Sequence, residues 1–162
     1  MKDVWYSSDG NKEDEQKMKT AIVYFSKHHG NTKKVVDAIA AKHSDVKLID
    51  CIGEEKDLSG YDRIGFASGV YAEHVAKQIQ NFAKENLPEG KEVFLIVTAA
   101  MPNEHYFSDL TAISESKHCT VKGKFKAKGF NTWGPFKLIG GTAKGHPTQE
   151  ELDDAVKFYE GL

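Results

Sequence analysis

Residues 21–32 read Ala21-Ile22-Val23-Tyr24-Phe25-Ser26-Lys27-His28-His29-Gly30-Asn31-Thr32. The run of five apolar residues, rich in β-branched and aromatic side chains, predicts a buried strand over 20–26. Val35, Val36, Ile39 and Ala40 then recur at helical spacing and predict a helix over 31–42. Between strand and helix lie hydroxyls, an amide and one glycine. A helix N-terminus offers unpaired N–H groups and the positive end of the helix dipole, and small polar side chains let a phosphate reach them. Residues 26–32 therefore read either as a phosphate cradle or as a polar turn in which Asn31 or Thr32 caps the helix. The stretch lacks both GxGxxG and GxxxxGK[ST], which argues against a dinucleotide-binding turn and a P-loop.

Strand and helix signals keep alternating beyond this point. Strands are expected at 46–51, 62–68, 92–98 and near 120–127, and helices at 73–86, 104–116 and 148–160. Thr148 and Glu151, just after Pro147, have the spacing of a capping box. Residues 52–61 are too short for a confident helix and read as a loop or single turn. Such alternation predicts an α/β fold, a parallel sheet with right-handed crossovers and helices on both faces. Ligands of such sheets bind beyond the carboxyl ends of the strands, where the strand order reverses. That directs attention to three loops, 26–32, 68–73 and 98–106.

Composition narrows the classes. A chain of 162 residues with 40% hydrophobic content supports one domain, assigned to 20–162 after a polar, flexible leader at 1–19 in which Val4-Trp5-Tyr6 is the apolar exception. A net charge of −2 argues against a nucleic-acid binder. No run is long or apolar enough for a membrane span or a signal peptide, so a cytoplasmic location and no membrane partner are expected. Cys51 and Cys119 form no CxxC pair and are expected to be reduced thiols. No metal site is expected, because the adjacent histidines His28 and His29 have no further ligand at zinc spacing.

The second loop, Ser68-Gly69-Val70-Tyr71-Ala72-Glu73-His74, supplies a glycine for close backbone approach and an aromatic ring for stacking. The third, Thr98-Ala99-Ala100-Met101-Pro102-Asn103, supplies hydroxyl and backbone donors. A phosphorylatable receiver domain would want carboxylates where Ser26 and Ser68 stand. Gly65-Phe66-Ala67-Ser68-Gly69 misses GxSxG by one place, so hydrolase chemistry has little support. No catalytic residue is assigned. His74, His105 and His146 lie near strand-end loops, as proton donors or as plain surface histidines. A phosphate pocket beside a slot for a flat ring is what flavin mononucleotide (FMN) requires.

At these residues the chain resembles the flavodoxin family. Ile22-Val23-Tyr24-Phe25-Ser26 through Gly30-Asn31-Thr32-Lys33 is similar to its phosphate-binding signature, and Ser68-Gly69-Val70-Tyr71 to the ring loop of its short members. Phe130-Asn131-Thr132-Trp133-Gly134-Pro135-Phe136 and Gly145-His146-Pro147 resemble their C-terminal segment, so 129–147 is expected to cover the ring or to cross the surface. The resemblance implies a five-stranded sheet in the order 2-1-3-4-5 with FMN at the switch point. It implies Ser26, His28, His29, Gly30, Asn31 and Thr32 at the phosphate, and Ser68, Gly69, Val70, Tyr71, Thr98 and Ala99 at the ring. Three features depart from the family's pattern: a phosphate loop one residue longer than the shortest in the family, the histidine pair within it, and Thr-Ala-Ala-Met in the third loop.

For function the resemblance implies electron transfer through non-covalently bound FMN, with a protein as redox partner. The alternatives are an NAD(P)H-dependent FMN oxidoreductase acting on a small substrate, with a nicotinamide donor, and a non-redox binding or regulatory module. Carriers of this family steer docking with strongly acidic surfaces, and a net charge of −2 supplies little of that.

Overall fold

A computed structural model describes residues 17–27, 29–130 and 138–162. Val4-Trp5-Tyr6, His28 and Trp133 lie outside these residues. In chain order the elements are β1 (Thr20–Phe25), α1 (Asn31–Lys42), β2 (Val46–Asp50), β3 (Arg63–Tyr71), β4 (His74–Val75), α2 (Lys77–Asn86) and β5 (Glu92–Ala99). A 3-10 turn at Glu104–Phe107 then runs into α3 (Ser108–Ser116), followed by β6 (Thr120–Lys128) and α4 (Gln149–Glu160). The sheet order is β2-β1-β3-β5-β6 with every neighbour parallel, while β4 pairs antiparallel with the end of β3. Setting that short hairpin strand aside, the order is the expected 2-1-3-4-5.

Strand alternation sorts the core into two layers. Ala21, Val23 and Phe25 of β1 face one cluster with α2 and α3, and Ile22 faces the other with α1 and α4. β3 and β5 are buried on both faces, which accounts for their continuous apolar runs. The connection between β2 and β3 contains turns and no helix. Leu58, 1% exposed, fills the space there, and Lys56 lays its ammonium 4.9 Å from the Phe82 ring centre while donating to the Cys51 carbonyl. Contacts to the body begin inside the expected leader: Lys17 pairs with Asp45, the Lys19 N–H donates to the Asp62 carboxylate, and the Lys19 carbonyl accepts from the Asp62 N–H.

The second strand-end loop differs most from expectation. β3 runs three residues past 68 and folds back through Ala72-Glu73 into β4, so the following helix starts at Lys77 rather than 73. The hairpin pairs Tyr71 with His74, and both turn residues are left-handed, with φ 49° and 69°. This is the type I′ pattern, normally made by Asn-Gly because side chains resist positive φ. Alanine and glutamate carry no such signal, and the sequence pattern passes over the turn.

α4 starts as its capping box predicts, with Thr148 Oγ1 accepting from the Glu151 N–H and the Glu151 carboxylate accepting from the Thr148 N–H. The same carboxylate accepts from the Lys128 N–H at 3.3 Å and meets His146 Nδ1 at 2.7 Å. Glu151 thus ties the end of β6 and the approach to α4 into one joint. Burial alone would raise its carboxyl pKa, but the bonds from Thr148, His146 and Lys128 outweigh burial and hold it below the ordinary glutamate value. A depressed carboxylate stabilises the fold above its unfolded pKa and loses that contribution as pH falls through the folded one. Glu151→Gln is therefore expected to cost about 1–2 kcal/mol at pH 7 and to flatten the acid-side decline in stability. Urea midpoints measured from pH 7 down to pH 3 check this, and equal midpoints for the two proteins at pH 7 would contradict it.

Candidate functional site

The three loops singled out by the sequence meet at the carboxyl end of the sheet, around the N-terminus of α1. Gly30 is the N-cap with φ 64° and has no side chain with which to cap the helix. Capping by Asn31 or Thr32 does not occur, because both side chains turn to other partners. Asn31 Nδ2 donates to the Phe130 carbonyl at 2.8 Å, and Thr32 Oγ1 lies 2.8 Å from Thr98 Oγ1 in a buried pair. Ser26 Oγ accepts from the Lys33 N–H at 3.3 Å, holding the loop back against its helix. The N–H groups of Asn31 and Thr32 have no acceptor among the described residues. A Cβ at Gly30 would meet nothing within 4 Å, so the mouth of this turn is open.

Three contacts join the loops. The first to third is the Thr32–Thr98 pair, in which one hydroxyl hydrogen is left over to donate elsewhere. The first to the chain after β6 is the Asn31 bond to Phe130, with the His29 ring 4.3 Å from that of Phe130. Gly129 lets this approach happen, since a Cβ there would stand 2.7 Å from Asn31 Nδ2. The first to second is the Tyr71 hydroxyl, which accepts from the Lys27 N–H at 3.2 Å while the ring packs edge-on against Phe25. Burial raises the Tyr71 pKa, so its hydroxyl keeps its proton at neutral pH. Two ammonium groups lie close by, Lys27 over Phe25 and Lys33 over Tyr24, the latter ion-paired with Asp37.

The residues expected at a ring divide into two kinds. Gly69, Val70 and Tyr71 are partly exposed, and Tyr71 lies against Gly69, where an added Cβ would be 3.3 Å from its hydroxyl. Ser68 is fully buried; its hydroxyl donates to the Gly69 carbonyl at 2.7 Å and accepts from the Ala76 N–H at 3.1 Å. Its side chain builds the hairpin from inside. Thr98 is likewise interior at 3% exposure, and the Ala99 carbonyl accepts from the Gly129 N–H.

At the outer rim the hairpin meets the 3-10 turn and α3. His74 Nδ1 lies 2.9 Å from Asp109 Oδ2, and Gln80 Nε2 donates to the same oxygen at 3.5 Å. Glu73 Oε2 accepts from the Tyr106 hydroxyl at 3.4 Å and lies 3.7 Å from His105 Nε2. These pairs went unread in the sequence, since nothing local links residue 73 to 105 or 74 to 109. Two grooves lie elsewhere, about 430 Å³ between α1 and α4 and about 270 Å³ between the Cys51 loop and α2. Both are on the flanks, without converging N–H donors, and chemistry rather than volume selects the strand-end site.

Residues 21–135 match the model of the flavodoxin domain. The chain belongs to the flavodoxin family. An uncharacterized protein of Methanocaldococcus jannaschii is 34% identical over 148 residues, covering 90% of this chain and 98% of that protein. Among solved structures, a flavodoxin from the domain Archaea superposes with a TM-score of 0.64 at 21% identity, covering 89% of this chain and 98% of its own. A Fusobacterium nucleatum flavodoxin bound to flavin mononucleotide superposes with a TM-score of 0.59 at 15% identity, covering 89% and 98%. At such identities the structural likeness establishes the flavodoxin fold, with the strand-end loops of this chain at the family's switch point. Among the described residues no helix is long and apolar enough to cross a membrane.

Proposed function

We propose that the chain binds FMN non-covalently at the strand-end loops and serves as an electron-transfer protein. The observation that carries the cofactor is the first turn of α1, where Ser26 takes the Lys33 N–H while those of Asn31 and Thr32, behind the Gly30 turn, have no acceptor among the described residues. A phosphate dianion fits such donors and the helix dipole, with the spare Thr hydroxyl hydrogen and the nearby Lys27 and Lys33 charges adding to the attraction. Asn31 Oδ1 is buried without a donor among the described residues, and a ribityl hydroxyl is the group that would supply one. Gly69 and Tyr71 offer backbone and an aromatic face to a flat ring.

The redox chemistry is that of the isoalloxazine ring, which exchanges one or two electrons when bound. The protein's part is to hold and tune that ring. Tyr71, kept neutral, offers an electron-rich face, and the Glu73 carboxylate at the rim adds negative potential. Both disfavour extra charge on a reduced ring and draw the potential down. The Gly69 carbonyl accepts from the Ser68 hydroxyl, and Gly69 stays in the sheet register opposite Thr98.

A flavin titration tests the cofactor: FMN fluorescence is expected to be quenched on binding, with FMN held at least tenfold more tightly than riboflavin. Equal affinities would remove the phosphate site from this reading. The rim imidazoles His74 and His105 favour the second reading, a nicotinamide-dependent reductase, because they could supply protons to a substrate. NADPH or NADH added in air to the FMN-loaded protein separates the two. Sustained oxidation selects the reductase, and inertness without a partner reductase selects the carrier.

A further inference from the structure

The geometry points to Asp109 and Glu73 as positioning residues that hold the β3–β4 hairpin in its ring-binding shape. The inference rests on the FMN reading above and extends it to residues outside the three loops. The hairpin turns on Ala72 and Glu73, both left-handed and neither a glycine or asparagine, so the turn does not hold itself. It is held from outside. His74 is fastened to Asp109 at the start of α3, and Gln80 of α2 reaches both Asp109 and the Val75 carbonyl. The turn residue Glu73 is fastened to Tyr106 and His105 on the 3-10 turn. Inside the hairpin, Ser68 links the Gly69 carbonyl to the Ala76 N–H, and Tyr71 reaches Lys27. The strap on one side and the phosphate loop on the other thus fix the strand segment 69–71 that would face the flavin ring.

The His74 and Glu73 side chains are mostly exposed, so each strap contact is weak alone and the effect is spread over the set. Asp109→Ala removes the one group shared by His74 and Gln80. It is expected to weaken riboflavin and FMN binding by the same factor, about fivefold, and to leave inorganic phosphate binding by the flavin-free protein unchanged. Asp109→Asn keeps an acceptor for His74 and is expected to stay near the parent. The decisive arm is rescue. Ala72→Asn with Glu73→Gly supplies the turn that type I′ geometry prefers, and in the Asp109→Ala background it is expected to restore riboflavin affinity.

The strap is also read without flavin. Amide hydrogen exchange at residues 70–75 of the flavin-free protein is expected to quicken about tenfold in Asp109→Ala and to slow again in the triple variant. Unchanged exchange in Asp109→Ala, or a triple variant that fails to recover it, overturns the strap. Faster exchange with unaltered riboflavin affinity overturns the positioning role. If the parent protein binds neither flavin yet exchange follows this pattern, the FMN reading fails while the strap stands.

Discussion

Asn31→Asp is expected to weaken FMN binding about a hundredfold while leaving riboflavin binding within about threefold. The substitution changes almost no volume but puts a carboxylate at the first turn of α1, beside the open N–H groups of residues 31 and 32. A carboxylate there competes for those donors and for the positive end of the dipole. It also repels a phosphate; at about 6 Å and an effective dielectric near 40, between the surface value and bulk water, the repulsion is about 1.4 kcal/mol per unit charge and about 3 kcal/mol for a dianion, or roughly a hundredfold. The bond from Nδ2 to the Phe130 carbonyl is lost as well, so the tether between the phosphate loop and the end of β6 loosens. Riboflavin carries no phosphate and escapes the repulsion. Isothermal titration of both flavins at fixed salt makes the comparison, and a parallel loss for the two would place the phosphate elsewhere.

Gly65→Ala is expected to lower stability by about 3 kcal/mol, close to 10 °C in Tm for a domain of this size. Gly65 sits in β3 opposite Phe94 of β5, and a Cβ there would overlap the Phe94 ring. That ring is fully buried and packed edge-on against Phe158 and Tyr159 of α4, so it has nowhere to retreat. Phe94→Leu alone is expected to cost about 1–2 kcal/mol through the space it leaves. In the double variant the methyl enters that space, and the combined loss is expected to fall short of the sum by about 1 kcal/mol. Denaturant unfolding of the four proteins measures the coupling. Strict additivity would show that Phe94 is not what excludes the methyl.

Much of the site was legible because its elements are local. The run from Ala21 to Phe25 marks β1, the spacing of Val35, Val36 and Ile39 marks α1, and the loop between them must then expose a helix N-terminus. Thr148 and Glu151 announce the start of α4 in the same way. The hairpin at 71–75 was not legible, because Ala72-Glu73 has none of the turn chemistry that a left-handed pair normally requires. Long-range packing imposes that turn through Asp109, Tyr106 and His105. Nor could the sequence say that Ser68 would be spent inside the hairpin on Ala76.

By itself the sequence determined the α/β alternation, the parallel sheet it implies, and the three loops where a ligand would bind. Hydrophobic period and end signals are short-range properties, and the chain carries them in order. The tertiary structure decided which way the loop side chains turn. Asn31 finds its partner 99 residues away and Thr32 finds its own 66 residues away, and those distant claims leave the first two N–H groups of the helix without an acceptor among the described residues. A cap and a cradle use the same residue types. What separates them is whether a remote carbonyl and a remote hydroxyl draw Asn31 and Thr32 off the helix, and that competition is settled only once β5 has paired with β3 and β6 with β5.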